Sequence, residues 1–290
     1  MTVDRRTALV TGGTDGIGKA VARRLLRDDW EVVVVGRSAS RCEATLAELN
    51  AEAPGGRATA LVADLGLLAE TRRACDELLA AHGRLDLLLL NANAIAQTRT
   101  LTTEGQEANL ALGFLSRALM AQALRPALEA AARPQVLTVV GLNKRPHLDF
   151  GDLTMECDFS GMKALGRWQW AMQVYAREWN VRERVPMNVY MPGIVKTKIL
   201  ESEPNLLLRY LIKAIYAVRA TTPDRSAEYI LGVTRDVEEH GRRDAYYSVK
   251  TLKPPRDLED TPGDQAALWE ATSRLLRPYL APDTPQRPTE

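Results

Sequence analysis

The sequence is poor in the residues that mark several classes of protein. Its three cysteines are widely spaced and odd in number, and none of its three histidines lies at ligand spacing from them. This pattern forms neither a disulfide framework nor a zinc site. No apolar run approaches the roughly 20 residues of a membrane span, and the N-terminus, MTVDRRTALVTGG, carries no apolar signal region. We therefore expect a cytoplasmic protein with no metal and no membrane span.

Excess charge of either sign is also missing. Lys and Arg total 38 and Asp and Glu total 37, which gives a formal net charge of +1. A nucleic-acid-binding protein normally carries a basic face toward the phosphates, so we expect no nucleic-acid partner. Hydrophobic residues make up 46% and charged residues 26%, which is ordinary globular composition and excludes wholesale disorder.

Short apolar runs alternate with amphipathic segments along most of the chain. The predicted buried strands are residues 7–11, 31–35, 57–63, 85–90, 135–140 and 187–191. Apolar residues at three- and four-residue spacing predict helices at 18–27, 41–51, 67–82, 104–131 and 160–181. This alternation predicts an α/β fold over residues 1–280: a single doubly wound parallel sheet with helices on both faces, of the Rossmann type.

Two later segments are less regular. The apolar-rich stretch 201–222 is predicted to be helical over residues 201–220, either as core packing or as a lid over a substrate pocket. The Pro-rich, polar tail 281–290 is expected to be disordered.

A glycine-rich turn follows the first predicted strand and opens the first helix. It reads Thr11-Gly12-Gly13-Thr14-Asp15-Gly16-Ile17-Gly18. Glycines allow a tight turn and a close approach of the backbone to a pyrophosphate, and the helix N-terminus offers N–H groups to the anion. We predict a dinucleotide site, and its expected contacts are Gly12, Thr14, Asp15, Gly16 and Ile17.

The residue after the second strand favours one dinucleotide over the other. An acidic residue at that point would hold the ribose diol of NAD, whereas this sequence has Arg37. A guanidinium is planar, permanently charged and suited to a 2′-phosphate. The sequence therefore predicts NADP(H) as the cofactor.

Further segments resemble the short-chain dehydrogenase/reductase family over nearly the whole chain. The resemblance rests first on the TGxxxGxG turn and on Asp64-Leu65 after the third strand. In addition, Leu90-Asn91-Ala92-Asn93 is similar to the family's NNAG motif, and Pro192-Gly193-Ile194-Val195-Lys196-Thr197 is similar to its PGxxxT motif. The segments TTPDRSAEYIL, AYYSVKTLKPP and ALWEATSRLL are similar to those of retinol-dehydrogenase-type reductases. The resemblance implies an adenine site at Asp64 and Leu65. It also implies a nicotinamide site lined by Asn91, Ala92, Lys163, Pro192, Gly193, Val195 and Thr197.

The resemblance implies a catalytic set of Asn, Ser, Tyr and Lys, of which this sequence keeps half. In the family, Tyr exchanges a proton with the substrate oxygen, Ser binds that oxygen, Lys holds the nicotinamide ribose and Asn anchors a relay water. Asn109 and Lys163 align with the family's Asn and Lys. Phe159 stands in the place of the Tyr and Gly141 in the place of the Ser. The expected substrate pocket is lined by Phe159, Gly141 and Met191, which suits an apolar small molecule.

The loss of two hydroxyls leaves three interpretations open. The first is an NADPH-dependent reductase whose substrate, an iminium or a conjugated alkene, needs no acid at a carbonyl oxygen. The second is a replacement acid, with these candidates: Asn143, Lys144, His147, Asp149, Asp152, Glu156, Asp158 and Tyr190. The third is a catalytically silent or non-redox homologue, a partner subunit or a cyclase, that binds NADP(H) structurally.

Three tryptophans, Trp168, Trp170 and Trp179, share the predicted helix of Lys163. They either pack within the chain or contribute to an interface between two copies. The resemblance implies the interface, because members of the family commonly form homodimers through their two long helices.

Overall fold

One eight-stranded sheet organises the chain. The computed structural model describes residues 5–53, 55, 57–141, 146–193, 221–249, 251–253 and 262–280. Its strands are β1 (Thr7–Thr11), β2 (Glu31–Gly36), β3 (Arg57–Val62), β4 (Leu87–Leu90), β5 (Gln135–Val139), β6 (Met187–Met191), β7 (Tyr246–Ser248) and β8 (Thr251–Lys253). Their order across the sheet is β3-β2-β1-β4-β5-β6-β7-β8. The first seven strands are parallel, which confirms the predicted doubly wound α/β fold.

The eighth strand is antiparallel and adds a short hairpin to the edge of the parallel sheet. A connection of two residues joins β7 to β8, and a parallel crossover needs a dozen residues or more. Val249, in this connection, has φ of 55°, a left-handed conformation that is costly for a β-branched residue. Neither of these three-residue strands was predicted, because so short a segment shows no periodicity.

Helices cover both faces of the sheet. They are α1 (Gly16–Arg27), α2 (Ala39–Glu52), α3 (Leu68–Ala81), α4 (Ala108–Leu110), α5 (Ser116–Ala123), α6 (Arg125–Glu129), α7 (Gly161–Arg182), α8 (Pro223–His240) and α9 (Pro262–Leu280). Residues of α1, α2 and α8 share one apolar cluster, and residues of α3, α5, α7 and α9 share the other. Neighbouring strand residues alternate between the two clusters, as Ala8 and Leu9 do. No described helix is long and apolar enough to cross a membrane.

The helix predicted over residues 104–131 is broken into shorter pieces. A π-helical turn, Ala111–Leu115, lies between α4 and α5, and α6 follows after Leu124. Pro126 opens α6 because a proline fits the first turn of a helix but interrupts its interior. The sequence pattern of apolar residues spans all four pieces and so did not reveal the breaks.

The tryptophans of α7 are buried within the chain. Trp168, Trp170 and Trp179 are each 1% exposed or less. Helix α9 packs across α7 and α5, and the Trp269 ring stacks on Tyr175 with centroids 5.1 Å apart. The packing interpretation is confirmed for these tryptophans. Helix α9 covers part of α7 and α5. The homodimer stays a prediction.

Replacing Trp269 by alanine is expected to loosen α9. The change removes the stack on Tyr175 and the ring under the Arg182 guanidinium, 5.1 Å from the ring centroid. Because Trp269 is only half-buried, we expect the free energy of unfolding to fall by about 2–3 kcal/mol, below the loss for a fully buried ring. Urea denaturation measures this change.

Two control variants make the measurement specific. Trp269→Phe keeps an aromatic ring and should lose less than half as much stability. Val181→Ala, at a side chain 75% exposed on α7, should stay within about 0.5 kcal/mol of wild type. Equal losses for alanine and phenylalanine at 269 would show that the stack contributes nothing.

Candidate functional site

A single hydroxyl ties the carboxyl ends of β1 and β4 together. Thr11 Oγ1 accepts hydrogen bonds from the backbone N–H groups of Asn91 at 2.8 Å and Ala92 at 2.9 Å, and it donates to Leu89 O at 3.2 Å. The Asn91 side chain adds a bond from Nδ2 to Thr11 O at 3.1 Å. Both predicted site residues therefore lie at this edge, and the Asn91 amide serves the joint between the strands.

The glycine-rich turn lies against this joint without spare room. Gly12 and Gly16 have φ of 64° and 55°, left-handed conformations that favour glycine. A β-carbon on Gly18 would lie 2.3 Å from the carbonyl oxygen of Gly12, and one on Gly12 would lie 3.0 Å from Cα of Ala92. The turn therefore holds the start of α1 close to the ends of β1 and β4, where the N–H groups of its first turn face the site.

The other predicted residues of the turn have clear local roles. Asp15 caps α1, because its Oδ1 accepts the N–H of Gly16 at 2.8 Å. Thr14 packs its methyl group against Gly36, where a β-carbon would lie 2.6 Å from it. Ile17 is buried in the cluster beneath the sheet.

The end of β2 presents a guanidinium with no protein partner. Arg37 is exposed, and no hydrogen bond or ion pair joins it to another residue in the described part of the chain. Ser38 caps α2 by accepting the N–H of Arg41 at 3.4 Å. Arg41 is a second exposed cation, four residues after Arg37, and our reading of the sequence missed it although the spacing was visible.

The predicted adenine residues belong to the turn before α3. Asp64 Oδ1 accepts the N–H of Gly66 at 2.9 Å, and its own N–H donates to Glu70 Oε2 at 2.7 Å. Leu65 is buried in the core. Glu104, from a distant loop, caps α3 by accepting the N–H groups of Leu68 and Ala69. The turn that carries the predicted adenine residues is therefore held in place by hydrogen bonds.

Asn109 uses its whole side chain in structural hydrogen bonds. Its Oδ1 accepts the N–H of Ala96 at 2.8 Å, and its Nδ2 donates to Ala96 O at 3.1 Å and to Glu107 Oε1 at 2.8 Å. Glu107 is fully buried and also accepts from the backbone of Asn109 and Leu110 and from Trp168 Nε1. The structure thus gives Asn109 a positioning role, in which it holds the loop after β4 against α4.

Lys163 lies in the first turn of α7, beside the same loop. Its Nζ is ion-paired with Asp158, and its side chain is 56% exposed. Ser160 caps α7 by accepting the N–H of Lys163 at 3.2 Å. A β-carbon on Gly161 would lie 2.6 Å from Ala96 O, so α7 begins in close contact with the loop after β4. Lys163 is therefore brought to the predicted nicotinamide half of the site.

The predicted pocket residues also lie at this edge. Phe159, just before α7, is half-buried against the main core, as is Met191 at the end of β6. Gly141 is exposed two residues after β5. Pro192 is buried, and Gly193, with φ of 72°, approaches Val249. Val195, Thr197 and the candidate lid at 201–220 lie outside the described residues.

Most candidates for a replacement acid are engaged elsewhere. Asp152 accepts the N–H groups of Glu156 and Cys157, which lowers the pKa of its carboxyl group, and Glu156 pairs with Arg99 at 3.4 Å. Asp158 pairs with Lys163, and Asp149 accepts the N–H of Gly151. His147 is exposed with no bond to a described residue, and Asn143 and Lys144 lie outside the description.

Tyr190 is buried on the side of the sheet that faces α1 and α8. Its hydroxyl has no hydrogen-bond partner among the described residues, and burial raises the pKa of the phenol. Phe159, in contrast, packs on the opposite face. Tyr190 is therefore placed as a structural residue and not as the acid of the pocket.

A buried cation lies beneath the site. Arg117 is 3% exposed, and it donates to Val139 O at 2.7 Å, to Thr138 Oγ1 at 3.1 Å and to Ala92 O at 2.8 Å. No carboxylate in the described structure pairs with it, and burial lowers the pKa of its guanidinium to about 10, so it remains charged at neutral pH. The sequence signal for this buried cation is an arginine within the apolar run around α5, and our sequence analysis did not identify it. No cluster of metal-ligating side chains occurs in the described residues.

Comparison with known proteins identifies the family. The model of the family "short chain dehydrogenase" matches residues 6–150, half of the chain. The chain belongs to the short-chain dehydrogenase family. This membership agrees with the turn, the parallel sheet and the arrangement of residues at its carboxyl edge.

Similar proteins within the short-chain dehydrogenase family cover different shares of the chain. Oxidoreductase AN1596 of Emericella nidulans is 33% identical over 54% of this chain and 48% of its own length. Mouse retinol dehydrogenase 14 is 31% identical over 67% of this chain and 62% of its own length. The match thus spans less than two thirds of either relative. The structure of an alcohol dehydrogenase from Thermococcus sibiricus, complexed with 5-hydroxy-NADP, shares the fold, with 20% identity and a TM-score of 0.65 over 89% of this chain and all of that one.

The close approach at Gly18 predicts a large effect of one methyl group. Gly18→Ala places a β-carbon against the Gly12 carbonyl oxygen, so the turn must shift, and we expect a loss of about 2–3 kcal/mol in stability. Gly232→Ala is the matched control, because that glycine lies within α8 with nothing within 4 Å of the added carbon. It should stabilise the fold by about 0.4–1 kcal/mol. Thermal unfolding of both variants measures the difference, and similar values would contradict the tight turn.

Proposed function

We propose that this chain is an NADP(H)-dependent oxidoreductase with a non-standard active site, and that its substrate is an apolar small molecule. The observation that carries the proposal is the glycine-rich turn that opens α1, with Gly12 and Gly16 in left-handed conformations, together with the exposed guanidinium of Arg37 at the next strand end, which has no partner among the described residues. A pyrophosphate fits the first, and a 2′-phosphate fits the second. The related fold from Thermococcus sibiricus, which is complexed with 5-hydroxy-NADP, supports the same cofactor class.

The described part of this edge supports such a cofactor, and Val195 and Thr197 are assigned to it from the sequence alone. Gly12, Thr14, Asp15, Gly16 and Ile17 would surround the pyrophosphate and the adjoining ribose, and Asp64 and Leu65 would meet the adenine. Asn91, Ala92, Lys163, Pro192, Gly193, Val195 and Thr197 would line the nicotinamide half. When bound, a nicotinamide supplies or accepts a hydride. To bind the ribose hydroxyls, Lys163 would have to break its ion pair with Asp158. The loss of free energy would be small because that ion pair is exposed.

The chain's own residues decide which substrates can react. Phe159 has no proton to give, and a positioned general acid is worth about 10²–10⁴ in rate. Gly141 has no hydroxyl to stabilise a developing alkoxide. Ordinary ketone reduction is therefore disfavoured, while an iminium carbon or a conjugated alkene requires only position and orientation. The half-buried Phe159 and Met191 provide apolar contact for such a substrate.

The competing function is a silent or non-redox homologue that holds NADP(H) as part of its structure, as a partner subunit or a cyclase. The absence of both hydroxyls supports it. Under this alternative, cofactor binding is kept and no substrate is reduced. The two functions therefore agree on binding and differ in turnover.

Binding of the two cofactors tests the site directly. We expect NADPH to bind more tightly than NADH, and Arg37→Ala to weaken NADPH by about 10–100-fold without changing NADH, because a charge-assisted bond to phosphate is lost. Cofactor fluorescence follows both titrations. Arg57→Ala is the matched control, since Arg57 is exposed at the opposite end of the neighbouring strand β3. If neither NADPH nor NADH binds, the proposal has no basis.

Restoring the two hydroxyls tests the account of the missing acid. The double variant Phe159→Tyr, Gly141→Ser should gain ketone reduction by about 10²–10⁴ over wild type with NADPH. A β-carbon at 141 meets its nearest neighbour at 3.5 Å, so serine fits without a clash. Phe159→Leu, Gly141→Ser supplies the same serine without the phenol and should gain far less. Rapid ketone reduction by the unchanged protein would show that another acid is present.

A further inference from the structure

Arg117 is a buried cation at the carboxyl ends of two neighbouring strands. Its side chain is 3% exposed, and its terminal nitrogens donate to Thr138 Oγ1 and Val139 O on β5 and to Ala92 O just after β4. The third nitrogen, Nε, is also buried and has no hydrogen-bond partner among the described residues. The three acceptors are neutral dipoles, so they satisfy N–H groups and leave the net positive charge of the guanidinium in place.

No opposite charge in the described part of the chain cancels this one. Burial is the cause that lowers the pKa of the Arg117 guanidinium, and no carboxylate acts on it. Glu107, which is also buried, is engaged by the start of α4 and by Trp168. Lys163, the cation predicted at the nicotinamide, is 56% exposed and paired with Asp158. Because solvent and salt screen a buried charge far less than an exposed one, Arg117 contributes a fixed positive potential.

The topology of the sheet relates Arg117 to one half of the proposed cofactor. The strand order reverses between β1 and β4, and in open α/β sheets a ligand binds outside the carboxyl ends of the strands around such a point. Arg37 follows β2, on one side of the glycine-rich turn, whereas Arg117 holds the ends of β4 and β5 on the other side. With the 2′-phosphate at Arg37 and the pyrophosphate at the turn, the nicotinamide would extend over β4 and β5, above Arg117.

The two oxidation states of the cofactor differ in charge at this end of the molecule. The nicotinamide ring of NADP⁺ carries a positive charge, whereas the ring of NADPH is neutral, and both forms carry the same phosphates. A buried positive charge beneath the ring raises the free energy of bound NADP⁺ and leaves that of bound NADPH nearly unchanged. The ratio of the two dissociation constants therefore reports the charge near the ring, because the contributions of adenine and phosphates cancel.

We propose that the unpaired positive charge of Arg117 makes the site selective for the reduced cofactor, so that the protein binds NADPH tightly and releases NADP⁺. This inference rests on the NADP(H) site of the proposed function. It adds a residue that determines specificity for the oxidation state, beside Arg37, which determines specificity for the 2′-phosphate. It also gives the site a direction, since a protein that is loaded with NADPH works as a reductase.

Equilibrium binding of the two oxidation states tests the inference without turnover. Isothermal titration calorimetry gives the Kd of each form, and we expect the ratio of Kd for NADP⁺ to Kd for NADPH to be about 10 or more in wild type. Arg117→Gln keeps a polar donor and removes the charge. It should lower this ratio by about 5–20-fold, through tighter binding of NADP⁺. An unchanged ratio in Arg117→Gln would overturn the inference.

Thr138→Asp cancels the charge and leaves Arg117 itself in place. It puts a carboxylate at the position where Thr138 Oγ1 accepts from Arg117 Nη1 at 3.1 Å, so a buried ion pair should form. The ratio should fall as it does in Arg117→Gln. Thr138→Asn is the matched control, because an amide has the shape of the carboxylate without its charge, and its ratio should stay within about two-fold of wild type. Equal ratios in the Asp and Asn variants would overturn the inference.

The same titrations separate this inference from the proposed function. Arg37→Ala should weaken NADPH and NADP⁺ by the same factor and leave their ratio within about two-fold of wild type, because both forms carry the 2′-phosphate. Binding of both forms by wild type with a ratio near 1 would overturn the inference alone and keep the NADP(H) site. Binding of neither form would overturn the proposed function, and the inference with it.

Discussion

The contact between the glycine-rich turn and the end of β4 is the constraint on which the site depends. Thr11 holds the backbone of Asn91 and Ala92, and the turn fills the remaining space so closely that Gly18 cannot carry a side chain. The segment after β4 also contacts Asn109, which accepts the N–H of Ala96, and the start of α7, where Gly161 lies close to Ala96 O. The turn and the end of β4 are therefore held at a fixed distance by contacts within the protein.

Two ionisable side chains near this edge are buried and hold backbone groups in place. Glu107 satisfies the first N–H groups of α4 together with Trp168, and Arg117 satisfies carbonyl groups at the ends of β4 and β5. Neither has an oppositely charged partner in the described structure, and each makes several hydrogen bonds. Phe159 and Met191, the predicted pocket residues, are partly buried against the main core.

The sequence was sufficient for the features that depend on local pattern. Five of the six longer strands are buried runs because helices cover both faces of the sheet, and the glycine-rich turn is a contiguous motif between strand and helix. The prediction of a buried strand at 57–63 is wrong in one respect: β3 forms, but it lies at the edge of the sheet and only Ala58 of it is buried. The hairpin of β7 and β8 was missed because three residues carry no period. The structural role of the tryptophans was left open, because a buried face of α7 and a dimer face have the same periodicity until α9 is placed across it.

Part of the site was invisible in the sequence for a different reason. Polar residues in amphipathic helices are ordinarily solvent-exposed, so nothing in the pattern marks Arg117 and Gln169 as buried groups at strand ends. Likewise, the alignment identifies Asn109 by type, whereas its geometry shows that the side chain is taken up by Ala96 and Glu107. The sequence therefore gives the residue type at these three positions, whereas the hydrogen-bond partners of each side chain appear only in the folded structure.

The π-helical turn at Ala111–Leu115 gives this arrangement an unusual dependence on chain length. A π turn holds more residues than an α turn, and each residue of an α-helix rotates the direction of its side chain by about 100°. Arg117, which follows two residues later, reaches the strand ends because of that rotation. Removing one residue from the turn would restore the regular α-helical pitch. The Arg117 guanidinium would then point away from the ends of β4 and β5. The number of residues in this turn therefore sets the direction in which the helix presents Arg117.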